Sequence, residues 1–415
     1  MSNSEVPVVL SRFWVAVGLI PCRSVLSRPV VPAIAIFALV VLYMFAAEPV
    51  ADRSALWLSP NRTEQQSDDP ASLQDDFSPT AHLSSASAGN STLGFSSIYF
   101  VYLPSRYDRL DAMSLQSYLS GVDFTEYPAV GPQMIKDVGM PPTRKSGKLR
   151  TSEKGCWRAH ANIWSTMLRK KLPPVLIVES DATWDIKIRK IMPNLNTHFR
   201  HFLAEIKSTK LHNPAWATQN QSVEAFDNDD TWLGSHWDIL SLGQCHETEE
   251  NKDTKLIYND PFVPLGRDYW GRTLKHERVI RRSGGITCTT AYAVSQTGAA
   301  KLLLRTAVNL DKPVDMVMQE MIVSGDLISY SVMPPIMAQW QYAEGIGMEE
   351  RGANSNINGA SMFSGLFTFF TRNKAWQNVE ASGSVWTTKS YHEDVAFDEM
   401  ALQGAWRRIF KAKAQ

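Results

Sequence analysis

In this 415-residue chain the residue types and spacing best suited to chemistry are two carboxylates at the end of an apolar run. In "VLIVESDATW", residues 175–184, Val175 to Val178 lead into Glu179 and Asp181. The run reads as a buried strand, and side chains two apart on a strand point the same way. Two like charges that close raise each other's pKa unless something positive lies between them. A divalent cation such as Mn²⁺ or Mg²⁺ does this well, because it prefers oxygen ligands and accepts water and phosphate in the rest of its shell. The plainer reading has Ser180 or Asp181 capping the following helix, with Glu179 solvated. The acids alone leave both readings open.

The flanking segments must carry these groups. "SIYFVYL" (97–103) has the β-rich apolar character of a buried strand. Leu110, Met113, Leu115 and Leu119 then follow helical spacing, closed by Gly121. "VDFTEYPAV" (122–130) alternates like a second strand, and 152–171 reads as a helix with Ser152 as its cap. A helix from about Asp185 to Leu203 comes after the acids. "WDILSLG" (237–243) and "ITCTTAYAVS" (286–295) are strand-like, "QTGAAKLLLRTAV" and "VDMVMQEMIVSG" helical, and "LISYSVMPPIMAQW" begins as a strand. Alternating strands and helices imply an α/β fold with helices on both faces of the sheet. The polar insertions at 204–236 and 246–285 are long enough to suggest lids, binding loops or disorder.

Residues 29–47, "PVVPAIAIFALVVLYMFAA", carry no charge. As a helix they reach roughly 28 Å, about the thickness of a bilayer core. The basic region is too remote, and Phe45 too large, for a cleaved signal peptide. We read the segment as an uncleaved signal anchor behind a cytosolic tail, 1–28. Arg12, Arg23 and Arg28 precede it and Arg53 and Arg62 follow, a slim margin for the positive-inside rule. Glycosylation acceptor triplets at Asn61, Asn90 and Asn220 lie C-terminal to it and lend weak support to a lumenal C-terminal part. Residues 48–95, rich in Ser, Asp, Pro and Asn, read as a flexible stem. Lys plus Arg and Asp plus Glu number 42 each, which argues against a nucleic-acid binder. Cys22 would be cytosolic, and Cys156, Cys245 and Cys288 lumenal, where disulfides form. Cys245 and Cys288 are candidates to pair, which sequence does not decide.

The ordered motifs resemble glycosyltransferase family 25, the lipopolysaccharide and collagen galactosyltransferases. "VYLPSRYDRL" looks like the family's strand with its Arg-x-x-Arg element. "SEKGCWRAH" matches Glu-x-Gly-Cys-x-x-x-His through Glu153, Gly155, Cys156 and His160. "VLIVESDA" resembles the strand ending in Glu-Asp-Asp, and "WDILSLG" the Trp-Asp strand. "TTAYAVSQTGAAKLL" is similar to Tyr-x-x-Ser-x-x-Gly-Ala, "KPVDMVM" to Pro-Val-Asp, and "PPIMAQW" and "RGANSN" to the terminal elements. The resemblance runs from about Ile98 to Ile357. Ser180 replaces the usual middle acid and Asn356 an expected aspartate, departures that bear on activity more than on fold.

The resemblance implies a GT-A-like nucleotide-sugar-binding domain over 96–357, with a mostly parallel sheet and a C-terminal extension, 358–415. It implies a UDP-sugar donor, often UDP-galactose, with Mn²⁺ (or Mg²⁺) at Glu179 and Asp181, inversion at the sugar carbon and a glycan or glycoprotein acceptor. The donor-binding candidates are Arg106, Asp108, Arg109, His160 and Glu179. The arginines suit phosphate. For His160 the other reading is a structural, hydrogen-bonded histidine. Inversion needs a base for the acceptor hydroxyl, and Asp315 is the candidate. It shares a helix face with Gln319 while Glu320 points elsewhere, but a first-turn acid is also favoured by the helix dipole. The expected setting is the Golgi membrane, or the endoplasmic reticulum, with the C-terminal part lumenal. The rival function is a membrane-tethered lectin or chaperone that keeps the fold without catalysis. A lysyl hydroxylase-like reading is weak, because the His-x-Asp iron motif is missing. His198 and His201 sit i, i+3 without a third ligand, and the basic loop Arg144–Arg150 reads as solvated.

Overall fold

The computed structural model describes residues 87–144, 149–215, 230–343, 346, 368–388, 395 and 397–410. All of them fall in one unit, Asp76–Gln415. The proposed anchor at 29–47, most of the stem, Cys22, Asn61, Asn220 and Asn356 lie outside these residues. Among the described residues no helix is long and apolar enough to cross a membrane.

The described elements begin with β1 (Ile98–Tyr102), α1 (Tyr107–Ser120), β2 (Thr125–Pro128), α2 (Thr151–Lys170), β3 (Val175–Glu179), β4 (Ala182–Trp184) and α3 (Ile188–Glu205). Six short strands follow: β5 (Ile239–Ser241), β6 (His246–Glu247), β7 (Lys255–Asn259), β8 (Arg267–Tyr269), β9 (Arg272–Leu274) and β10 (Glu277–Arg282). Then come β11 (Ile286–Thr287), β12 (Ala291–Val294), α4 (Gln296–Val308), α5 (Val314–Val323), β13 (Ser329–Met333) and β14 (Met337–Tyr342). The last are α6 (Thr368–Ser382), β15 (Trp386–Thr388) and α7 (Ala405–Phe410).

Eight strands form the main sheet, in the order β2-β1-β3-β12-β5-β13-β10-β7. Only β1–β2, β1–β3 and β5–β13 are parallel, and the other junctions are antiparallel. The expectation of a mostly parallel sheet is therefore corrected to a mixed one. A parallel neighbour needs a crossover, usually a helix. Helices α1 and α2 provide it for β1, β2 and β3. The chain between β5 and β12 contains only short strands, and β12 returns antiparallel to β5.

Both faces of the sheet are covered, which is why β3 shows no polar alternation. Leu176 and Val178 join Ile98, Phe100 and the α3 residues Ile191, Leu195 and Phe199. Val175 and Ile177 join Tyr99 and Val101, Trp157, Ile163 and Trp164 of α2, and Leu302 of α4. Glu179 continues the Val175–Ile177 face, so period-2 geometry sends it toward α2.

Other expectations resolve locally. Gly121 closes α1 with a left-handed φ of 65°. The cap of α2 is Arg150, not Ser152, because the Glu153 carboxylate accepts from the Arg150 N–H at 2.7 Å and draws the helix start forward. Ser295 caps α4 by accepting from Gly298 N at 3.1 Å. A Cβ on Gly298 would sit 2.3 Å from the Asp238 carbonyl oxygen, so only glycine lets α4 lie this close to the strand entry. "ITCTTAYAVS" splits into β11 and β12 at Cys288, whose φ is 67°. The 246–285 insertion is not a lid: β7 and β10 form the edge of the main sheet. The stem assignment reaches too far, since Ala88, Leu93 and Phe95 are buried in the core. Phe95 stacks on Trp232 with ring centroids 5.1 Å apart.

A second sheet, β15-β14-β4, stands behind the acids. Met400 and Leu402, from the C-terminal extension, pack there with Trp340 and with Ala112 of α1.

Candidate active site

Strand β1 delivers the chain to α1, and β3 delivers it to Glu179, Ser180 and Asp181. Both strands end at one pocket of about 120 Å³. Its lining includes Arg109, Cys156, His160, Glu179, Ser180 and Asp181. This is the carboxyl end of parallel neighbours β1 and β3, where open α/β sheets bind ligands.

The arginine side of the pocket is firmly built. Arg109, only 8% exposed, donates from Nη1 to Ser180 Oγ at 3.0 Å and from Nη2 to Asp181 Oδ2 at 3.0 Å. The serine that replaces the family's middle acid is thus an acceptor for the arginine. Part of the positive charge that the two acids require comes from within the chain. Two atoms of this pair stay buried with no partner, Arg109 Nε and Asp181 Oδ1. Arg106 spends its guanidinium on Asp108, through bonds of 2.8 and 2.7 Å. Burial pushes the Asp108 carboxyl up, but Arg106 outweighs it and holds the group below the usual carboxylate range.

Glu179 faces α2, as the strand period requires. The Thr289 hydroxyl donates to its Oε1, and His160 Nε2 lies 3.4 Å from the same oxygen. Burial raises the Glu179 pKa, but the contacts with His160 and Thr289 and the charge of Arg109 outweigh it, so the net direction is down. Behind His160, its Nδ1 is 2.9 Å from the Tyr292 hydroxyl, to which Trp164 Nε1 donates at 3.1 Å. Burial keeps the Tyr292 proton on, pushing its pKa well above the ordinary phenol value. His160 therefore meets both readings: it is hydrogen-bonded like a structural histidine, and it touches the acid that lines the pocket.

Asp315 opens α5 and is half-buried. It accepts from its neighbour Met316 N at 2.9 Å and, more distantly, from Cys288 N at 3.4 Å. Burial and the nearby Glu179 raise its pKa. Cys288 is tied to Cys245 by a disulfide, with Cα atoms 5.5 Å apart. The pairing that sequence left open thus braces the backbone beneath Asp315. Glu320 is taken up by Arg305 at 2.9 Å and Lys312 at 3.1 Å, away from the pocket.

The buried, unpartnered Asp181 Oδ1 suits an oxygen-seeking cation. The ligand-type cluster found among the described residues is a different one, however. Cys156, His160 and Glu179 place their donor atoms within 4.8 Å of one another, without Asp181. Among the described residues His198 joins no metal-type cluster, and it stacks on Tyr258 at 4.4 Å. Sequence reasoning missed Thr289 as a partner of Glu179, Tyr292 and Trp164 as the chain behind His160, and the Cys156 thiol as a neighbour of the acid. One signal was present: Cys156, His160 and Trp164 are spaced i, i+4, i+8, which is one helix face.

The family model described as glycosyltransferase family 25 (LPS biosynthesis protein) matches residues 95–318, more than half of the chain. A similar relative from Homo sapiens is named "Inactive glycosyltransferase 25 family member 3" and is 23% identical over 287 residues, covering 64% of this chain and 40% of that protein. Another, "Procollagen galactosyltransferase 1" from Danio rerio, is 21% identical over 250 residues, covering 57% of this chain and 33% of that protein. The chain thus spans less than half the length of either relative. The ordered motifs, the pocket they build and the extent of the family match lead to one conclusion: the chain belongs to glycosyltransferase family 25.

Proposed function

We propose that this chain transfers a hexose, galactose above all, from a UDP-sugar to a hydroxyl of a glycan or glycoprotein, with inversion and in a GT-A-type domain. The observation that carries the reading is the pocket at the ends of β1 and β3 in a family 25 chain. There Asp181, Glu179 and Arg109 converge and one carboxylate oxygen is left without a partner.

A divalent cation, Mn²⁺ or Mg²⁺, would take Glu179 and Asp181 as ligands and offset the charge that builds on the leaving diphosphate. The chain's own residues supply the rest. Arg109 orients Asp181 and adds positive charge to the donor side. The Thr289 hydroxyl and His160 hold Glu179 in an acceptor-only, ionised state. Asp315 accepts the proton of the attacking hydroxyl, and its raised pKa brings it nearer the working pH, where a general base is most effective. The pair Arg106–Asp108 braces the start of α1 and meets phosphate if the ion pair opens.

The topological part of the reading is a type II membrane protein of the Golgi, anchored by residues 29–47. Protease treatment of intact microsomes should leave the catalytic part uncut until detergent is added. The test of the activity is incubation of the purified chain with a panel of UDP-sugars, following UDP release with and without acceptor. UDP-galactose turnover that requires Mn²⁺ is the expected result. Donor binding with no turnover would favour the second reading, a non-catalytic binding protein, to which the name of the human relative lends support.

A further inference from the structure

The donor-site reading uses Glu179 but not Cys156, although the two are neighbours. Cys156 is a free thiol on α2 that lines the same pocket. Its Sγ, a His160 ring nitrogen and a Glu179 oxygen lie within 4.8 Å of one another. One edge of this triangle, His160 Nε2 to Glu179 Oε1, is already 3.4 Å. In a tetrahedral zinc site, with bonds of about 2.0–2.3 Å, neighbouring ligand atoms lie roughly 3.5 Å apart. The edges to Cys156 Sγ, within 4.8 Å, must shorten toward that spacing for the triangle to close on an ion.

The surroundings suit a cation in two further ways. A metal-bound histidine is normally oriented through its other ring nitrogen by an outer partner. The Tyr292 hydroxyl is in that position, 2.9 Å from Nδ1, and is itself fixed by Trp164. With an ion on Nε2, Nδ1–H donates to the Tyr292 oxygen, whose second lone pair receives the Trp164 N–H. The charge also balances. A thiolate, a carboxylate and a neutral imidazole offset a divalent ion, and the thiol proton is released to solvent on binding.

We propose that Cys156, His160 and Glu179 form a second cation site for a thiophilic divalent ion of the Zn²⁺ type. Occupation of this site withdraws Glu179 from the donor site. Donor binding with Mn²⁺ and occupation by Zn²⁺ are then mutually exclusive. The site itself does not depend on the glycosyltransferase reading; only its effect on donor binding does.

The experiment uses the full chain and Co²⁺ as a spectroscopic stand-in for Zn²⁺. Wild-type protein should show a sulfur-to-cobalt charge-transfer band with the intense visible bands of tetrahedral Co²⁺. Cys156→Ser should remove the charge-transfer band and weaken Zn²⁺ binding by about 100-fold or more, since loss of an outer-shell partner alone costs about 10–100-fold. A weak octahedral spectrum in wild-type protein, or unchanged Zn²⁺ affinity in Cys156→Ser, overturns the site. In Mn²⁺, micromolar Zn²⁺ should displace UDP from wild-type protein and not from Cys156→Ser. Equal displacement in both overturns the link to Glu179. Failure of wild-type protein to bind UDP in Mn²⁺ alone counts instead against the donor-site reading, while the cobalt spectrum still decides the site.

Discussion

The same sheet holds two sets of buried arginines and acids, and they are built differently. At the far edge, Arg278 Nε meets Asp260 at 2.6 Å with the side chains 1% and 0% exposed, and Arg278 also donates to the Pro334 carbonyl. Asp260 accepts from Phe262 N at 3.0 Å. Beside it, Glu247 accepts from Ser331 Oγ at 2.7 Å, and Arg281 donates to the Thr248 carbonyl at 3.1 Å. No side-chain atom of these four residues is left buried without a partner. In the pocket, Arg109 and Asp181 are nearly as buried, yet each keeps one atom unpaired. Other described residues also keep unpartnered buried atoms, Asp238 Oδ1 among them, but only Arg109 and Asp181 do so in the lining of this pocket. The edge pairs are complete and serve the fold. On the proposed donor-site reading, the open atoms of the pocket pair are where a bound ion and its donor would meet the chain.

The largest effect is expected from a third acid, Asp315, close enough to Glu179 to feel its charge. Asp315→Asn should lower transfer by about 10²–10⁴-fold, the usual range for loss of a general base, with donor affinity nearly unchanged. Single-turnover rates at saturating donor read this directly. The acid limb of the wild-type pH–rate profile should lie above the ordinary carboxylate range, since burial and Glu179 raise this pKa, and it should vanish in the variant. A matching loss in Glu320→Gln would show that the wrong carboxylate was chosen.

Arg278→Met strands the Asp260 carboxylate, and breaking a buried pair in this way costs about 3–5 kcal/mol. Urea unfolding should show that loss, while transfer per folded molecule stays constant. Asp181→Asn should do the reverse: Mn²⁺-dependent UDP affinity, measured by calorimetry, falls by about 10²-fold or more through loss of a charged ligand. Stability should fall by less than in Arg278→Met, because the asparagine oxygen still accepts from Arg109 and Glu179 keeps a negative charge near the guanidinium. Equal stability losses in the two variants would erase the distinction drawn here.

The smallest effect has an unusual sign. The Asp315 pKa is raised in the folded chain, so its contribution to stability is fully present below the unfolded pKa and is lost as pH rises through the folded one. At neutral pH its charge is a burden. Asp315→Asn should therefore move the thermal midpoint up while it abolishes activity; a lower midpoint would contradict the burial assigned to it.

Much of this was legible in the chain. Val175 to Val178 reads as a doubly buried strand, and the period of two predicts that Glu179 turns with Ile177. Gly121, α4 and α5 fall where turn and helix signals put them. Strand direction did not, because pairing is decided across the sheet and not along the chain. Strands β7 and β10 looked like a polar insertion, since "ERVIRR" buries arginines that read as surface until Asp260 and Glu247 arrive from distant segments. The acids were visible as a pair, but their partners were not. Arg109 reaches Asp181 across 72 positions and Tyr292 reaches His160 across 132, and no local pattern encodes such separations.

Strand β14 divides its length between two neighbours. Met337 to Gln339 pair with β4, directly after the acids, and Trp340 to Tyr342 pair with β15. Trp340 N also donates to the Asp181 carbonyl at 2.7 Å. The backbone of Asp181 thus leans on a strand whose outer half is closed by residues 386–388. A shortened chain ending near 357, where the motif resemblance stops, would uncover that outer half. Exposed strand edges recruit other strands, so such a protein would self-associate through β14. The pocket at Asp181 would loosen from behind, although no residue lining it had been removed.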